Sequence, residues 1–470
     1  MNFIKRIFTS YNLEEVFTPT TEAKLTYVTR KTIETELEKN IKIPGQQIVI
    51  YGHSGSGKTT LLRNKLKSIG QSYVKTHCEK NTTFESLLLQ AFDSLNVFYK
   101  KEKSESTSHQ ISSELKATYL DISASIKASN STTNSSKSER LIPVQLTPLR
   151  LSQFMGEINC LWIIEDFHKV NDSEKQRIAD VIKIFIDTAN DYKKVKIICI
   201  GAVGTARELL QFDDNLYNRI NELPIPLMSD SELESIVNIG FNLMNLTIQQ
   251  SLIDKVVYYS HNLGSVCHQI CYDLCFYNDI KKSKFIKQEI TEEDFRKAIN
   301  SFVRKNSDTY NKIYDKIVCL DLGWHILKTF ENVEKEFVSI GEIEIRIPQH
   351  KRTEREELKE LLDELSSPNY NEIIRFDNTS KKYSISTPFF RAFLKMKMAL
   401  ELIEQKEAKK RKTNRKKRKY DLKENETISS MVINDEFLEN YYQFLDSYLT
   451  RTTKLNEKIA ELEKLKQNKK

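Results

Sequence analysis

The stretch QIVIYGHSGSGKTTLL, residues 47–62, decides the fold class of this chain. Its β-branched start, Ile48 to Ile50, predicts a strand, and its end predicts the first turn of a helix. Residues 52–59 match the pattern G-x-x-x-x-G-K-[ST] without a gap. Glycines let the N–H groups of such a loop point at a polyphosphate, and the following helix directs its positive end at the same anion. We therefore predict a phosphate-binding loop between a strand and a helix.

The residues of this loop have distinct expected roles. Lys58 supplies a positive charge for the β- and γ-phosphates of a nucleotide, and the Thr59 hydroxyl is a candidate ligand for Mg²⁺. The loop as a whole is expected to contact the phosphates through Gly52, His53, Ser54, Gly55, Ser56, Gly57, Lys58, Thr59 and Thr60. A nucleotide with a magnesium ion is therefore the predicted ligand.

A second stretch, CLWIIEDFHKV at residues 160–170, runs from apolar residues into two adjacent carboxylates. A buried strand that ends on paired acids serves a metal ion or a water molecule, and Glu165 and Asp166 are the candidates here. Further strand patterns alternate with helical patterns, which predicts a parallel sheet covered by helices on both faces. Right-handed crossovers would bring the loop and the two acids to the same carboxyl edge.

Length and composition limit the class of protein. The chain has 470 residues, room for about two to four domains, and its seven cysteines lie mostly in apolar segments, which predicts reduced thiols in a cytoplasmic protein. We expect no signal peptide and no membrane contact, since no apolar run approaches the ~20 residues that span a bilayer. Cys267, Cys271 and Cys275 recur every four residues, but a straight helix separates the outer two by ~12 Å, so we expect packing rather than a zinc site.

Three further segments have distinctive compositions. Residues 103–140 are rich in Ser, Thr and Asn, which predicts an exposed, flexible insertion. The net charge of +7 is concentrated in the run from Lys406 to Lys419, which fits either contact with nucleic-acid phosphates or a solvated linker. Residues 434–470 keep a heptad spacing, which fits a coiled coil, a partner-binding helix or a helix packed on its own domain.

Residues 305–400 show the pattern of a winged helix. A helix, a short strand at 336–345, a helix at 355–367, a hairpin at 371–386 and a last helix follow one another. The helix that would enter a DNA groove carries Glu354, Glu356, Glu357, Glu360, Asp363 and Glu364. Because such a face repels phosphate, we favour a structural or protein-contact role for this region.

A phosphate-binding loop, an acid-tipped strand, a helical segment and a winged helix, in this order, resemble the AAA+ ATPases over residues 20–400. The nearest branches are the origin-recognition/cell-division-control group and the STAND signalling ATPases. The resemblance implies ATP and Mg²⁺ as ligands and an α/β P-loop core with a helical lid, a winged-helix domain and a helical C-terminal tail. The implied segments are a lead-in (1–45), the ATPase core (46–225), the lid (226–304), the winged helix (305–400), a basic linker (401–433) and a C-terminal helix (434–470).

The resemblance also implies roles for individual residues. Arg30, in the segment YVTR, would lie near the nucleotide, and Thr205 is the polar candidate for the first sensor after a core strand. Glu165 would orient Mg²⁺ or its water, and Asp166 would activate the attacking water. Arg219 would be an arginine finger that reaches the nucleotide of a neighbouring subunit, which implies a homo-oligomer.

Two departures from the family pattern affect the expected activity. Cys267 occupies the place where the lid of related proteins carries a sensor arginine, with His268 beside it as a substitute candidate. The acid pair is also inverted, so the base position holds Asp166, one methylene shorter than glutamate. A general base needs hydrogen-bond reach to the attacking water, so we expect slow hydrolysis, which suits a switch better than a motor.

Three functions remain open at the level of sequence, and one of them is a scaffold whose nucleotide site is only structural. The first is an ATP-dependent switch whose nucleotide state controls oligomerisation and engagement of a separate effector or partner, for instance as a regulator or sensor in bacterial defence against phage or mobile elements. The second is a DNA-loading ATPase, either a replication initiator or a transposition regulator. The basic run favours the second and the acidic winged-helix face opposes it.

Overall fold

Among the residues that the structure describes, five strands form the central sheet. They are Gln47–Tyr51 (β1), Tyr73–His77 (β2), Leu161–Glu165 (β3), Lys196–Gly201 (β4) and Ile220–Pro224 (β5). Their order is β2–β3–β4–β1–β5, and all neighbouring pairs are parallel. The predicted α/β fold with a parallel sheet is confirmed.

This computed structural model describes a defined part of the chain. Of Asn332 and of residues 410–421 only the backbone is described. The described residues are 10–95, 147–203, 205, 211, 216–332 and 337–421. The predicted insertion at 103–140 and the heptad segment at 434–470 lie outside them, as do the side chains of most of the basic run.

The apolar residues of the strands divide between the two faces of the sheet. Ile48 and Ile50 belong to one buried cluster, and Val49 belongs to the other, because successive side chains of a strand point to opposite faces. Every residue of β3 and β4 is buried, as expected for inner strands of a parallel sheet. The predicted strands therefore carry the core on both sides.

The fifth strand, β5, was not anticipated from the sequence. Its residues INELP alternate between buried and more exposed positions, and a polar, proline-containing stretch of this kind carries little strand signal. It lies at an edge of the described sheet, where it pairs with β1, and proline is tolerated at such an edge. Long-range pairing rather than local pattern decides this element.

Helices cover both faces of the sheet. Leu37 and Leu61 pack on one face, whereas Phe84, Leu151 and Ile178 pack on the other. The helices of this region are Leu13–Val16 (α1), Lys31–Lys42 (α2), Lys58–Ser68 (α3), Phe84–Ser94 (α4), Pro148–Glu157 (α5) and Asp172–Thr188 (α6).

A buried lysine joins the sheet to α2 at the edge opposite the phosphate-binding loop. Lys196 donates from Nζ to the carbonyl oxygens of Asn40 (2.8 Å), Ile43 (2.7 Å) and Gln46 (2.6 Å). Burial lowers the pKa of Lys196 to about 8. The ammonium group thus satisfies carbonyls at the end of α2 that would otherwise lack donors.

The region predicted as a lid is helical with a two-stranded ribbon. Its first helix begins with a capping box in which Ser229 and Glu232 exchange hydrogen bonds. Its elements are Asp230–Leu243 (α7), Leu246–Thr247 (β6), Gln250–Ser260 (α8), Gly264–Phe276 (α9), Gln288–Glu289 (β7) and Glu292–Lys305 (α10). Cys267, Cys271 and Cys275 on α9 are buried, and no metal-binding group of three His, Cys, Asp or Glu occurs among the described residues.

The C-terminal region contains three strands in the order β8–β10–β9, paired antiparallel. Its elements are Lys312–Val318 (α11), Gly323–Asn332 (α12), Phe337–Val338 (β8), Ile340–Arg346 (α13), Arg355–Leu365 (α14), Ile374–Asp377 (β9), Lys382–Ile385 (β10) and Pro388–Asp421 (α15). Helix, strand, helices and hairpin follow the order on which the winged-helix prediction rests, and that assignment stays a prediction.

The expectation of one continuous strand over 336–345 is wrong. The strand ends at Val338, and α13 begins at Ile340. Ser339 and Glu342 form a capping box, since each side chain bonds the backbone N–H of the other residue. The two satisfied N–H groups favour a helix start over further extension.

The predicted lid (226–304) and the predicted winged helix (305–400) share a single apolar core. The ring centroids of Phe302 (α10) and Phe389 lie 5.4 Å apart, and the ring of Tyr310 contacts those of Phe389, Phe390 and Phe393.

The chain divides into the units Met1–Leu402 and Ile403–Lys470. None of the described helices is long and apolar enough to cross a membrane.

Candidate functional site

The carboxyl edge of the sheet brings the two predicted motifs together. The loop follows β1 directly, and Glu165 is the last residue of β3, with β4 between these strands. A cavity of about 1120 Å³ opens here. Its lining includes Ser56, Thr59, Lys75, Glu165, Arg30 and Ser265. The cavity is bounded by the core, the lead-in and the predicted lid.

Two glycines fix the path of the loop. Gly55 and Gly57 have φ angles of +80° and +88°, a region that other residues rarely adopt. A Cβ atom on Gly55 would also lie 2.8 Å from Ser265 Oγ, at the start of α9. The loop thus turns tightly into α3, whose first residue is Lys58, and the lid helix approaches it closely.

Lys58 folds back over its own loop. Its Nζ donates to the carbonyl oxygens of Gly52 and His53, both at 2.8 Å. Burial lowers the pKa of Lys58, and the nearby negative charge of Asp166 opposes that shift. A cation bonded to neutral carbonyls in a partly buried site is well placed to exchange them for phosphate oxygens.

Glu165 is a buried acid whose two oxygens differ in their contacts. Its Oε2 accepts from Lys75 Nζ at 3.1 Å and lies 3.3 Å from His77 Nδ1. Its Oε1 is buried and has no hydrogen-bond partner among the described residues, and the same holds for Ser56 Oγ of the loop. Buried polar atoms are normally satisfied, so these two oxygens are candidates for contact with a polar ligand at the cavity.

Asp166 differs from Glu165 in its surroundings although the two are adjacent. Its backbone is left-handed, with φ of +58°, which takes it out of the strand. Its carboxylate is about half exposed and pairs with Lys169 at 2.7 Å. Two neighbouring acids therefore have different surroundings, one buried against β2 and the other open to solvent near Lys58.

This donor set fits a magnesium ion. Thr59 supplies a hydroxyl, and Glu165 supplies a carboxylate whose buried Oε1 lacks a partner among the described residues. Oxygen ligands of this kind are those that Mg²⁺ prefers. A bound Mg²⁺ would neutralise phosphate charge. Thr59 and Glu165 are the residues of this chain that would hold it.

Comparison with known proteins agrees with this geometry. Residues 44–210 match the family model of the AAA domain. This segment of the chain is therefore similar to the AAA domain, and it contains the P-loop and the parallel sheet described above. No curated protein matches the chain.

Solved structures with a similar fold are distant in sequence. The Walker-type ATPase paby2304 of Pyrococcus abyssi is 14% identical, with 79% of this chain and 99% of that chain covered and a TM-score of 0.48. The ORC2 protein of Aeropyrum pernix is 11% identical (84% and 98% covered, TM-score 0.44). Cdc6p of Pyrobaculum aerophilum is 12% identical (82% and 98% covered, TM-score 0.40).

Arg30 lines the cavity beside the AAA domain, but its guanidinium group is engaged by the chain itself. Nε donates to Glu232 of α7 at 3.1 Å, and the two terminal nitrogens donate to the carbonyl oxygens of Pro226 (3.0 Å) and Leu227 (3.1 Å). Arg30 therefore ties the segment before α2 to the connection between β5 and the lid. Its expected proximity to the nucleotide stays a prediction.

Thr205, the candidate first sensor, is fully buried after β4. Its Oγ1 donates to the carbonyl oxygen of Ala202 at 2.6 Å, and its side chain packs against Gly201. The hydroxyl thus closes the turn of its own chain, and the sensor role stays a prediction.

Arg219 lies at the opposite edge of the sheet from the loop of the AAA domain. Its side chain is exposed, and its carbonyl oxygen accepts from the N–H of Gln47, the first residue of β1. Five residues of extended chain, roughly 16 Å, separate Gln47 from Gly52. Because this gap exceeds the length of an arginine side chain, Arg219 is poorly placed for a nucleotide bound at the loop of its own chain, and its role as an arginine finger stays a prediction.

His268 is buried in the lid and is held by the lead-in. Its Nδ1 accepts from the N–H of Thr18 at 3.1 Å, and burial lowers its pKa to about 4. The ring lies 6.1 Å from Phe17 between centroids. His268 also lines the cavity, but its acceptor nitrogen serves the chain.

We expect this histidine to make the protein less stable in acid. Between its ordinary pKa near 6.5 and the folded value of about 4, the unfolded chain binds a proton that the folded chain excludes. The free energy of unfolding therefore decreases as the pH is lowered from about 6.5 to about 4. For the full shift in pKa, the decrease is on the order of 3 kcal/mol. Urea unfolding at several pH values measures the slope, and His268→Gln, which keeps an acceptor without the titration, should flatten it. An unchanged slope in His268→Gln would contradict this assignment.

Three residues of the site were not singled out from the sequence. Lys75 and Glu232 pair with residues that are distant along the chain, Glu165 and Arg30, respectively. Ser265 lies close to Gly55 of the loop. Lys75 had one available signal, since a lysine in the middle of a predicted core strand needs a partner. For Ser265 and Glu232 we find no such signal.

Proposed function

We propose that the protein binds ATP with Mg²⁺ and hydrolyses it slowly, and that the nucleotide state controls self-association and partner engagement. The observation that carries this proposal is the pair of oxygens at one cavity, Glu165 Oε1 and Ser56 Oγ, that are buried and unpartnered among the described residues. Lys58 belongs to the same loop as Ser56, and its ammonium group is bonded to the loop carbonyls described above. Together these groups form a site that a metal-bound polyphosphate would satisfy.

The chemistry assigned to the two acids follows from their surroundings. Glu165 is buried and contacts Lys75 and His77, which suits a carboxylate that is held in place and binds a metal ion. Asp166 is more exposed, which suits a group that accepts a proton from water and returns it to solvent. The short reach of aspartate and its pairing with Lys169 both favour slow turnover.

The contacts at the cavity suggest how nucleotide could move other parts of the chain. Ser265 at the start of α9 and Gly55 of the loop both line the cavity, and Ser265 lies close enough to leave no room for a side chain at position 55. Arg30 bonds both the connection after β5 and Glu232 of the lid. A change in the loop would therefore act directly on the predicted lid (226–304). The lid shares its apolar core with the predicted winged helix (305–400), so the two would move together.

We expect ATP to drive self-association that depends on Arg219. Mass photometry of the wild type should show higher-mass species with ATP and Mg²⁺ than without nucleotide. Arg219→Ala should remove this shift while ATP affinity remains within about threefold, because the guanidinium group would stabilise phosphate charge in trans. The matched control is Arg150→Ala, another exposed arginine of the core.

Two outcomes would contradict this assembly model. One is ATP-dependent association that is equally strong in Arg219→Ala and wild type. The other is no change in mass with ATP in a protein that demonstrably binds it. In the second case the output of the switch would be a change within one subunit.

The biological setting that we favour is regulation or sensing in bacterial defence, with a separate effector as the partner. The alternative, a DNA-loading ATPase, has one observation against it and one for it. The exposed face of α14 is acidic, which opposes phosphate contact through the predicted recognition helix. A lysine-rich loop elsewhere on the lid favours contact with an anionic polymer.

A further inference from the structure

The connection between α9 and β7 exposes two large apolar side chains at its tip. Phe285 is 84% exposed and Ile286 is 78% exposed, the highest values among the exposed large hydrophobic residues of the described chain. Such residues lose free energy by remaining in water, and adjacent exposed residues of this kind mark contact sites more often than isolated ones do. We call residues 281–287 the lid loop.

The lid loop surrounds this apolar tip with positive charge. All of its lysines are exposed: Lys281, Lys282, Lys284 and Lys287. Asp279 Oδ1 lies 3.3 Å from Lys281 Nζ, but both side chains are largely exposed. This ion pair therefore offsets little of the positive charge of the lid loop. The lid loop therefore carries two exposed apolar side chains and four exposed lysines within seven residues.

The backbone of the lid loop is held on both sides. Asn245 donates from Nδ2 to the carbonyl oxygens of Lys284 (2.9 Å) and Phe285 (3.0 Å). The N–H of Ser283 donates to the carbonyl oxygen of Tyr11 at 2.9 Å, and the N–H of Tyr11 donates to Ser283 Oγ at 3.0 Å. The exposed side chains therefore project from a preorganised turn, which lowers the entropy lost on binding.

We propose that the lid loop is a nucleic-acid contact, in which the lysines bind backbone phosphates and Phe285 with Ile286 packs against bases. Lysine is depleted from protein–protein interfaces, whereas cations beside an apolar wedge are typical of proteins that bind bases and phosphates together. Two apolar side chains are also a small anchor for a bilayer compared with an amphipathic helix. The inference does not depend on ATP hydrolysis.

Salt dependence separates the two parts of the lid loop. Binding of full-length protein to short fluorescent DNA, single-stranded or duplex, is measured by anisotropy over a range of salt concentrations. Lys284→Gln with Lys287→Gln should make the slope of log affinity against log salt shallower by about 2, because two phosphate contacts are lost. Phe285→Ala with Ile286→Ala should weaken binding about tenfold at an unchanged slope.

Matched controls test whether the position matters. Lys193→Gln with Lys194→Gln removes the same charge from exposed residues before β4, and Leu149→Ala removes an exposed apolar side chain of α5. Both should leave DNA binding unchanged. If the control lysine variant made the slope of log affinity against log salt as shallow as the lid-loop variant does, the proposal would be overturned. Binding would then reflect only the net charge of the protein.

Other anionic probes give the remaining decisive outcomes. Polyglutamate that binds as tightly as DNA, with the same sensitivity to the lid-loop variants, would overturn the proposal in favour of an acidic protein partner. Vesicles containing phosphatidylserine that bind when DNA does not would overturn it in favour of a lipid surface. DNA binding retained in Lys58→Ala is expected, so failure of the ATPase assignment and failure of this contact are separable.

Discussion

Asp166→Asn is expected to slow ATP hydrolysis by about 100-fold or more, with ATP affinity within about threefold of the wild type. The amide keeps the size of the side chain and cannot accept the proton of the attacking water. Single-turnover hydrolysis and binding of a fluorescent ATP analogue measure the two quantities separately. The expected pattern is a loss of turnover at nearly constant binding.

The reason lies in the different surroundings of the two acids. Asp166 leaves the strand through a left-handed backbone and pairs with the surface residue Lys169, so its replacement disturbs little of the core. Glu165 is buried and contacts both Lys75 and His77. Asn at position 166 is therefore a test of chemistry rather than of folding.

Glu165→Gln is the matched experiment for the order of the acids. If Glu165 holds the metal, this change should raise the Mg²⁺ concentration needed for nucleotide binding, since an amide oxygen carries no charge. Should Glu165→Gln instead stop turnover with ATP and Mg²⁺ still bound as in the wild type, the two roles would be reversed. Full activity of Asp166→Asn would also contradict the assignment of Asp166 as the base.

Lys58→Ala is expected to weaken nucleotide binding at least thirtyfold. Removing one partner of a buried charge pair costs about 2 to 5 kcal/mol, and Lys58 is the cation at the centre of the loop. Equilibrium binding of a fluorescent nucleotide measures the change, with and without Mg²⁺. The Tm is recorded in parallel, because Lys58 also binds the carbonyl oxygens of Gly52 and His53.

Lys67→Ala is the control for this prediction. Lys67 lies on the same helix, α3, and its side chain is exposed, so it loses the same charge without touching the loop. Nucleotide affinity should stay at the wild-type value in this variant. Equal affinity in Lys58→Ala and wild type would refute the nucleotide site and leave a loop with a purely structural role.

Local sequence determined the parts of this protein that depend on short-range pattern. The β-branched run from Ile48, the apolar run from Leu161 and the glycines of the loop predict strands and a left-handed turn whatever lies elsewhere. Alternation of strands with helices then places Gly52 and Glu165 at one edge, because crossover handedness is nearly fixed. The phosphate-binding site followed from these features.

Tertiary structure decided what depends on distant partners. β5 forms because its residues pair with β1. Arg30 binds the carboxylate of Glu232 and the carbonyl oxygens of Pro226 and Leu227, which lie 196 and 197 positions further along the chain. The same holds for Glu165, whose cation comes from Lys75 on the adjacent strand. A single sequence records the propensity and charge of each residue, but the partner that satisfies a charge is set by which chain segments the fold brings within a few ångströms.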